Sequence, residues 1–565
     1  MLVSLDGYCM QLVHVGKPKA IIIISEDCPD SVRFAASEFQ QYVKKTTGAL
    51  LPIDNKISAK TNGVNYILIG ESKYTRQNNF GLRMKNTDSF RIVSRNNILA
   101  ILGKDYNGKP IVGMRNPWLK NEVYNTKLKI GAFGETGTLY GVYYFLNKYC
   151  GVRWYMPGDL GEVIQPQASL IIPDIDIKKA PDFDYRYVWL CNFDSDEDAA
   201  LWYKRIGFGA AAPVQINHSF YLMLKYKNTH PEYFALINGQ RDFTNLSSIG
   251  TGGGNLCLSN EGLFKQWVTD IRNYFDDHPE QRFYPIVLSD GLKKICECTK
   301  CQSQIKREMG EDGKFSDYYW GFVNRVAQEI YISHPDKYIG GAAYEHYKSP
   351  PSIMLNTNVA VMIAKWRLYY NDPEYHKNMD RLIELWGQKT KNIYVWEYYL
   401  NTWGVLRGLP VFFPHVISND LNFLKKYSKG EFIEAESWQG KEKPQMKFYG
   451  MTHLNLYLTG KLYWNANANV DEILGEYYKL FYGPAAEEMQ SFWSLAEKTW
   501  MKNLNITGKG FSGFLRNKEL KDGLYDKESL SRLNELLQKA SKKTQEGSIY
   551  HKRIELIYSE FLQNN

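Results

Sequence analysis

Phe283–Asp290 (FYPIVLSD), Tyr338–Glu345 (YIGGAAYE) and Asn392–Glu397 (NIYVWE) are three apolar runs, and each of them ends in a carboxylate. Short apolar runs rich in β-branched and aromatic residues are typical of buried strands. In a parallel β/α barrel the carboxyl ends of the strands meet on one face, and catalytic residues collect there. The three runs therefore predict parallel strands of such a barrel, with a group of acids on one face.

The chain from Asp184 onward contains eight strand candidates, and helical stretches separate most of them. They are YRYVWL (185–190), GAAAPVQI (209–216), GNLCLS (254–259), FYPIVLS (283–289), YIGGAAY (338–344), VAVMIAK (359–365), IYVWEYYL (393–400) and EFIEAESW (431–438). The helical stretches, such as Glu261–Asp276 and Tyr318–Ile332, are long enough for crossovers between parallel strands. Eight such units in about 260 residues predict a TIM-like (β/α)8 barrel.

The length of the chain predicts more than one domain, because 565 residues exceed what one hydrophobic core usually supports. We expect a small α/β domain at 1–178, where strands and helices alternate, and the TIM-like catalytic barrel at 179–442. A helical C-terminal region is predicted at 443–565, where the apolar residues recur at helical spacing. The predicted fold class is therefore α/β, a barrel with a domain before it and a helical extension after it.

Composition narrows the classes of function. Aromatic residues make up 15% of the chain, with 41 Tyr and 14 Trp, an excess that suits sugar-binding surfaces. The net charge of +8 is spread along the chain without the basic patch of a nucleic-acid-binding protein. No apolar run reaches the length of a membrane-spanning helix. No phosphate-binding glycine loop or dinucleotide fingerprint is present, so we expect no cofactor and exclude nucleotide chemistry. The oligomeric state stays open.

Aromatic side chains crowd around the terminal acids and narrow the substrate to a glycan. Flat rings beside carboxylates match the apolar faces and hydroxyl edges of sugars. The predicted substrate-binding residues are Tyr344, Trp396, Tyr398, Tyr399, Lys365, His218, Asn401, Glu436 and Trp438. Tyr347 and Trp403 add further rings close to the same acids in the sequence.

Glu397, Glu345 and Asp290 are the candidate catalytic residues, because glycoside hydrolysis needs a pair of carboxyl groups. Glu397 is favoured as the general acid, since its aromatic neighbours would desolvate it and raise its pKa. The alternative for Glu397 is a strand-end carboxylate paired with a nearby Lys or Arg. Asp290 precedes a glycine after a strand, so it can also be an ordinary turn residue.

A cysteine-rich stretch, Cys296–Cys301 (CECTKC), directly follows Asp290. Three thiols at this spacing would hold zinc only if a fourth ligand came from elsewhere, and Cys257 and the other cysteines show no metal-ligand spacing. A local disulfide or reduced thiols need only nearby residues. We therefore predict no metal site.

Several phrases together resemble one bacterial family. They are TLYGVYYFLNKYCGVRWYMPGDLGEV, HPEYFALINGQR, NLCLSNE, LSDGLKKICECTKC and LYWNANANVDEILGEYYKLFYGPAA. They are similar, from about Ser31 to Trp493, to the DUF4838 family, part of which is assigned to glycoside hydrolase family 163. The resemblance implies an endo-β-N-acetylglucosaminidase that cuts the core of N-glycans in Bacteroides-like bacteria. It also implies an N-terminal domain like that of α-glucuronidases and hexosaminidases, and a periplasmic, cell-surface or secreted location.

The resemblance leaves the mechanism open. In substrate assistance, one carboxylate orients the 2-acetamido group of the sugar while another acts as acid and then as base. The resemblance then implies that Glu397 or Glu345 is the acid. The orienting group would be the remaining glutamate of this pair or Asp290. Related barrels usually carry the two acids side by side on the fourth strand, whereas only Asp290 stands there in this chain. An α-glucuronidase-like enzyme, in which Lys365, Arg367 and His218 bind a uronic-acid carboxylate, and a non-catalytic glycan-binding protein are the alternatives.

Overall fold

The structure is a computed structural model, and it describes most of the chain. The described residues are 9–58, 63–111, 123–189, 193, 196–243, 255–291, 294–398, 408–435, 448–502 and 522–562. They form two successive α/β regions, each built on a six-stranded sheet, and a set of helices follows the second sheet in the chain. The predicted domain boundaries stay predictions.

The first six-stranded sheet belongs to the N-terminal α/β region. The strands of this region are β1 (Cys9–His14), β2 (Lys17–Pro18), β3 (Ala20–Ile23), β4 (Ile53–Asp54), β5 (Asn65–Ile69), β6 (Phe90–Arg95), β7 (Ile98–Gly103), β8 (Tyr124–Asn125), β9 (Ile130–Gly131), β10 (Arg153–Trp154), β11 (Glu162–Val163), β12 (Leu170–Pro173) and β13 (Ile175–Lys179). The order in the sheet is β13-β6-β7-β5-β3-β4, with β6 and β13 antiparallel to their neighbours. The helices are α1 (Asp30–Thr47), α2 (Lys73–Gln77), α3 (Gly137–Tyr149) and α4 (Gly158–Gly161), and α1 and α3 pack together beside the sheet. Strands and helices alternate in this region, as the sequence predicted.

The second sheet contains six parallel strands, and its order is β14-β21-β20-β19-β18-β17. Its strands are β14 (Tyr185–Trp189), β17 (Phe283–Pro285), β18 (Tyr338–Ala343), β19 (Val359–Lys365), β20 (Ile393–Glu397) and β21 (Ser428–Glu434). Two short strands, β15 (Leu236–Ile237) and β16 (Gln240–Arg241), form a separate hairpin between β14 and β17 in the chain. The first and last strands of the predicted barrel, β14 and β21, pair in parallel, as barrel closure requires. Six of the eight predicted strands are therefore confirmed.

The second sheet is strongly curled. The ring of Phe283 on the edge strand β17 lies 5.8 Å from the ring of Tyr394 on β20, three strands away. In a flat sheet, three strand spacings would separate them by about 14 Å. Tyr185 on β14 also reaches Tyr394 at 5.8 Å, so side chains from both ends of the sheet meet on its concave side. The described sheet is a half-barrel, not a closed (β/α)8 barrel.

The second and third predicted strands are wrong as strands. The segment 209–216 forms only two isolated bridges, Gly209 with Arg186 and Ala210 with Phe133, and contains Pro213, which lacks a backbone donor. In the described part of the third candidate, 255–259, one bridge joins Leu256 to Phe234. These apolar residues are buried as coil between β14 and β17, where the sheet stays open.

Small residues allow close packing on both faces of β18. A Cβ on Gly340 would lie 2.4 Å from Cγ1 of Ile216, and one on Gly341 would lie 2.5 Å from the Trp320 ring. Ile216 belongs to the coil that fills the concave side, and Trp320 belongs to a helix on the convex side. The two glycines therefore let both layers approach the strand.

Helices cover the convex side of the half-barrel and continue to the carboxyl terminus. They are α5 (Glu197–Arg205), α6 (Glu261–Asp277), α7 (Thr299–Gln302), α8 (Ser316–Ser333), α9 (Pro373–Gly387), α10 (Pro414–Leu424), α11 (Tyr449–Trp464), α12 (Val470–Tyr482), α13 (Ala486–Trp500), α14 (Lys527–Lys543) and α15 (Ile549–Leu562). The predicted helical C-terminal region is confirmed. Helix α11 is buried along nearly its whole length, as expected for a helix that is apolar on all sides. Among the described helices, none has the length and apolarity to cross a membrane.

Candidate active site

Alternation along the strands of the half-barrel sends neighbouring side chains to opposite faces. On β20, Tyr394 and Trp396 face the concave side, where Trp396 contacts Phe432 and Trp189. Val395 and Glu397 consequently face the helices on the convex side. This parity separates the predicted site residues into two groups.

The convex group is a buried network of five charged side chains. Lys365, Arg367, Glu397, Asp420 and Glu431 are almost completely buried between the sheet and the helices. Arg367 donates from Nε to Asp420 at 2.6 Å and from Nη2 to Glu431 at 2.5 Å, and Lys365 donates to Asp420. Three carboxyl groups thus surround two cations.

Glu397 belongs to this network and not to the concave face. Its Oε1 accepts the backbone N–H of Arg367 at 2.7 Å and of Tyr398 at 3.0 Å, and its Oε2 lies 3.8 Å from Nζ of Lys365. Burial raises the pKa of Glu397 to about 7, against the opposing pull of Arg367 and Lys365. The alternative of a strand-end carboxylate paired with Lys or Arg describes this environment. The role of Glu397 as general acid stays a prediction, and its side chain has no exposed surface for a substrate.

Glu434, at the end of β21, is the acid that the concave face presents beside the aromatic rings. Nε1 of Trp396 donates to Oε2 of Glu434 at 2.9 Å. The Trp189 ring packs edge-on against Trp396, with centroids 6.1 Å apart, and also contacts Phe432. Glu434 is half-buried, so its carboxyl group is within reach of both the rings and the solvent. Glu434 was not among the site residues predicted from the sequence, which included Glu436, two residues later in the chain.

Asp290 lies on the same side, after β17, with three donors or potential donors around one oxygen. Its Oδ1 accepts the N–H of Gly291 at 2.9 Å and the hydroxyl of Tyr344 at 3.4 Å, and lies 3.7 Å from Nε2 of His218. Nδ1 of His218 must donate to the carbonyl oxygen of Leu288, since that oxygen can only accept. Nε2 of His218 is therefore left facing Asp290. The structure thus brings the predicted residues Asp290, Tyr344 and His218 together.

Tyr398 is a half-buried tyrosine whose hydroxyl pKa is affected by the charges of both carboxylates. Burial is the largest cause that raises the pKa of its hydroxyl well above the ordinary value, and the charges of Glu434, Tyr344 and Asp290 raise it further. The Tyr398 ring stacks on Trp366 with centroids 5.1 Å apart. It also lies 6.2 Å from the ring of Trp396, so Tyr398 extends the aromatic wall beside Glu434.

Glu345 occupies a special backbone position at the end of β18. Its φ of +46° lies in the left-handed region, which is uncommon for a glutamate. It is half-buried and follows Tyr344, whose pKa is raised by burial and by the charges of Asp290 and Glu345. Glu345 therefore lies at the rim near Asp290. Tyr347, by contrast, is fully buried and packs on Tyr319 in the core.

Four predicted site residues, Tyr399, Asn401, Glu436 and Trp438, lie outside the described residues. Trp403, one of the rings noted in the sequence, lies outside them as well. Their predicted contacts with a substrate stay predictions.

Two groups of described side chains have enough ligand atoms close together for a metal ion. The carboxylates Glu397, Asp420 and Glu431 form one of them, but Lys365 and Arg367 already occupy the space between these acids. The other is a group of four cysteines away from the concave acids, at Cys257, Cys296, Cys298 and Cys301.

Several solved structures are similar to this chain at low sequence identity. The structure titled a novel family GH115 4-O-methyl-alpha-glucuronidase with specificity for decorated arabinogalactans is similar with a TM-score of 0.53 and 14% identity, covering 98% of this chain and 71% of that one. A family 89 glycoside hydrolase from Clostridium perfringens matches with a TM-score of 0.49, 11% identity, and coverage of 94% and 61%. An N-acetyl-beta-hexosaminidase from Streptomyces plicatus matches with a TM-score of 0.42, 11% identity, and coverage of 87% and 93%. At these identities the first match shows the fold and nothing finer.

Sequence comparison identifies the family of the chain. No curated protein matches the chain. The model of the family described as "Domain of unknown function (DUF4838)" matches residues 156–493, more than half of the chain, and spans β14 to β21 with the acids Asp290 and Glu434. The chain, with its curled parallel sheet and its aromatic, carboxylate-bearing concave face, therefore belongs to the DUF4838 family.

Proposed function

We propose that the protein is a glycoside hydrolase whose active site lies on the concave side of the half-barrel. The observation that carries the proposal is the placement of two carboxylates on one aromatic-walled face, Glu434 at the end of β21 and Asp290 in the loop after β17. Glycosidases need such a pair beside surfaces that accept a sugar ring. The solved glycoside hydrolases with this fold are consistent with the proposal through the fold alone.

The surroundings of the two carboxylates suggest different roles. Oδ1 of Asp290 accepts the Gly291 N–H and the Tyr344 hydroxyl, and these two hydrogen bonds fix the orientation of the carboxyl group. We assign Asp290 to the group that stabilises or orients the charge developing near the anomeric carbon. Glu434 is then the proton donor to the leaving oxygen, positioned by the indole N–H of Trp396. Glu345, at the rim, is the reserve candidate for either role.

The aromatic side chains provide the sugar-binding surface. Trp189, Trp396 and Tyr398 are half-buried and lie around Glu434, where they can stack on the apolar face of a pyranose. Substrate class is proposed from the resemblance of the sequence to glycoside hydrolase family 163. We propose an N-glycan core as the substrate and endo-β-N-acetylglucosaminidase activity as the reaction, in a protein that works in the periplasm or at the cell surface.

The α-glucuronidase-like alternative loses two of its three proposed carboxylate-binding residues. Lys365 and Arg367 are fully buried on the convex side and neutralise Asp420 and Glu431. Only His218 of that set faces the concave site. Recognition of a uronic acid would therefore need cations from outside the described residues.

The test is mass spectrometry of the glycans released from a complex N-glycoprotein by the wild-type protein. Release of glycans that lack one core N-acetylglucosamine would support the endo-glycosidase proposal. Uronic-acid oligosaccharides incubated in parallel test the alternative, because free uronic acid would point to an exo-acting glucuronidase.

The Asp290→Asn and Glu434→Gln variants show whether a product comes from this site. Both should lose the product, whereas Glu384→Gln, which changes an exposed acid on α9, should release it as the wild type does. Product that persists in both site variants would overturn the site assignment. The absence of product from the N-glycoprotein, the uronic-acid oligosaccharides and a panel of plant and host glycans would overturn the enzymatic proposal and leave glycan binding.

A further inference from the structure

Four cysteines from two segments of the chain come together, one before α6 and three in the segment that follows Asp290. Cys257 precedes α6, Cys296 and Cys298 lie in the loop after Asp290, and Cys301 lies in the short helix α7. Their four Sγ atoms all lie within 4.8 Å of one another. Three of the four residues are buried, and none of them forms a disulfide.

The distances between the sulfur atoms match a tetrahedral metal site. Sγ of Cys257 lies 3.7 Å from Sγ of Cys298 and 3.7 Å from Sγ of Cys301. Four thiolates placed tetrahedrally around zinc at about 2.3 Å are separated by about 3.8 Å from one another. We propose that Cys257, Cys296, Cys298 and Cys301 bind one structural zinc ion. The proposal concerns a site separate from the concave acids and does not depend on the proposed glycosidase activity.

Polar groups around the sulfur atoms suit thiolate ligands. The backbone N–H of Leu236 donates to Sγ of Cys296 at 3.2 Å, and the hydroxyl oxygen of Ser259 lies 3.2 Å from Sγ of Cys301. Donors of this kind orient and stabilise ligating thiolates. The N–H of Cys301 also bonds the carbonyl of Cys298 at 3.0 Å, which folds the Cys298–Cys301 turn so that both side chains point to the same place.

Other uses of the four thiols fit less well. A disulfide would need two sulfur atoms at about 2.05 Å, but Cys257 is equally distant from two partners, and the group is compact as a set of four. An iron–sulfur cluster would have to place several metal and sulfide atoms among the four side chains. Sulfur atoms this close leave room for a single ion.

The zinc site would hold the loop after Asp290 against the neighbouring hairpin. Next to Cys296, the N–H of Glu297 donates to the carbonyl of Leu236 on β15 at 2.7 Å, and the N–H of Cys257 donates to Tyr233 at 2.8 Å. One ion would therefore join the segment before α6, the β15–β16 hairpin and the loop that begins at Asp290. A metal that fixes these segments contributes directly to folding stability.

The first test is the zinc content of the full-length protein, purified under reducing conditions without chelators and measured by plasma mass spectrometry. We expect one zinc ion per chain in the wild type and in Cys28→Ser, a half-buried cysteine of the first domain. Cys257→Ser and Cys298→Ser should lose the ion, because a structural site rarely survives the loss of one of its four ligands. Equal loss from Cys28→Ser would contradict the assignment of ligands.

The second test needs no variant, so it stands even if a cysteine variant fails to fold. Wild-type protein loaded with Co²⁺ should show thiolate-to-cobalt charge-transfer absorption and the strong visible bands of a tetrahedral ion. A strong chelator should lower the melting temperature of the wild type. No zinc in the isolated protein together with no Co²⁺ uptake by the reduced protein would overturn the proposal, and so would peptide mapping that finds a disulfide between any two of the four cysteines.

Discussion

Lys365 and Glu397 are paired directly in the register of β19 and β20, and both side chains leave the sheet on its convex side. Their atoms Nζ and Oε2 lie 3.8 Å apart in a network closed by Arg367, Asp420 and Glu431. Two residues that the sequence placed in the substrate site therefore meet behind it. The concave face instead presents Asp290 and Glu434, and this contrast leads to the following predictions.

Asp290→Asn and Glu434→Gln should each lower kcat by about 10²–10⁴-fold, the usual contribution of a positioned acid or base. Each change removes a charge or a proton donor while it preserves the shape of the side chain. The measurement is steady-state kinetics on a substrate found by product analysis, together with melting temperatures, which should stay close to the wild-type value. Activity that survives either change would remove that residue from the catalytic pair.

Trp396→Phe should lower kcat/KM by about 2–10-fold, since it removes a hydrogen bond that positions the carboxyl group of Glu434 and is worth about 0.5–1.5 kcal/mol. The phenylalanine ring still packs on Phe432. Trp189→Phe is the matched control, because Nε1 of Trp189 has no hydrogen-bond partner among the described residues while its ring packs on the same face. The measurement is kcat/KM of both variants under the same conditions. Equal losses would mean that the rings matter and the Trp396–Glu434 hydrogen bond does not.

Glu397→Gln should change the pH dependence of stability more than it changes turnover. The pKa of Glu397 is raised from 4.5 to about 7 by burial, so the folded chain holds this proton more tightly than the unfolded chain does. Its stabilising contribution is complete below about pH 4.5 and is lost as the pH rises through about 7. Melting temperatures across this range should fall more steeply in the wild type than in Glu397→Gln.

Two other buried acids set the background for that comparison. Burial raises the pKa of Asp105 and of Glu560 to about 7, and both remain in the variant, so only the difference between the two melting profiles belongs to Glu397. A loss of turnover as large as that of Glu434→Gln, with unchanged melting profiles, would instead favour Glu397 as the general acid.

Asp88→Ala should destabilise the contact between the first domain and the half-barrel. Nη2 of Arg186, on β14, donates to Oδ2 of Asp88 at 2.6 Å, and both side chains are almost fully buried. Removing one partner leaves a buried charge without compensation, which typically costs about 3–5 kcal/mol. Urea unfolding should therefore begin at a lower concentration. Lys127→Met, at the exposed Lys127–Glu197 pair, should have no measurable effect. Equal midpoints for Asp88→Ala and the wild type would contradict the prediction.

Strands and helices with a clear local pattern of apolar residues could be predicted from the sequence. The apolar runs that end at Asp290, Glu345 and Glu397 predicted three strands of the parallel sheet, and apolar residues at helical spacing predicted the helical C-terminal region. These predictions succeeded because a strand or a helix is set mainly by the residues within it. The coil at 209–216 was predicted as a strand because burial makes coil as apolar as strand, and pairing depends on a distant partner.

Which side chains lie together in one site depends on the tertiary structure and could not be predicted from the sequence. Strand alternation implied that Trp396 and Glu397 point to opposite faces, but only the curl of the sheet and the position of its helices decide which face is concave. That choice brought Glu434 to the site and buried Glu397. Cys257 joined Cys296 in the same way, through contacts between segments far apart in the chain. Such contacts depend on the packing of whole layers, which no local pattern of residues specifies.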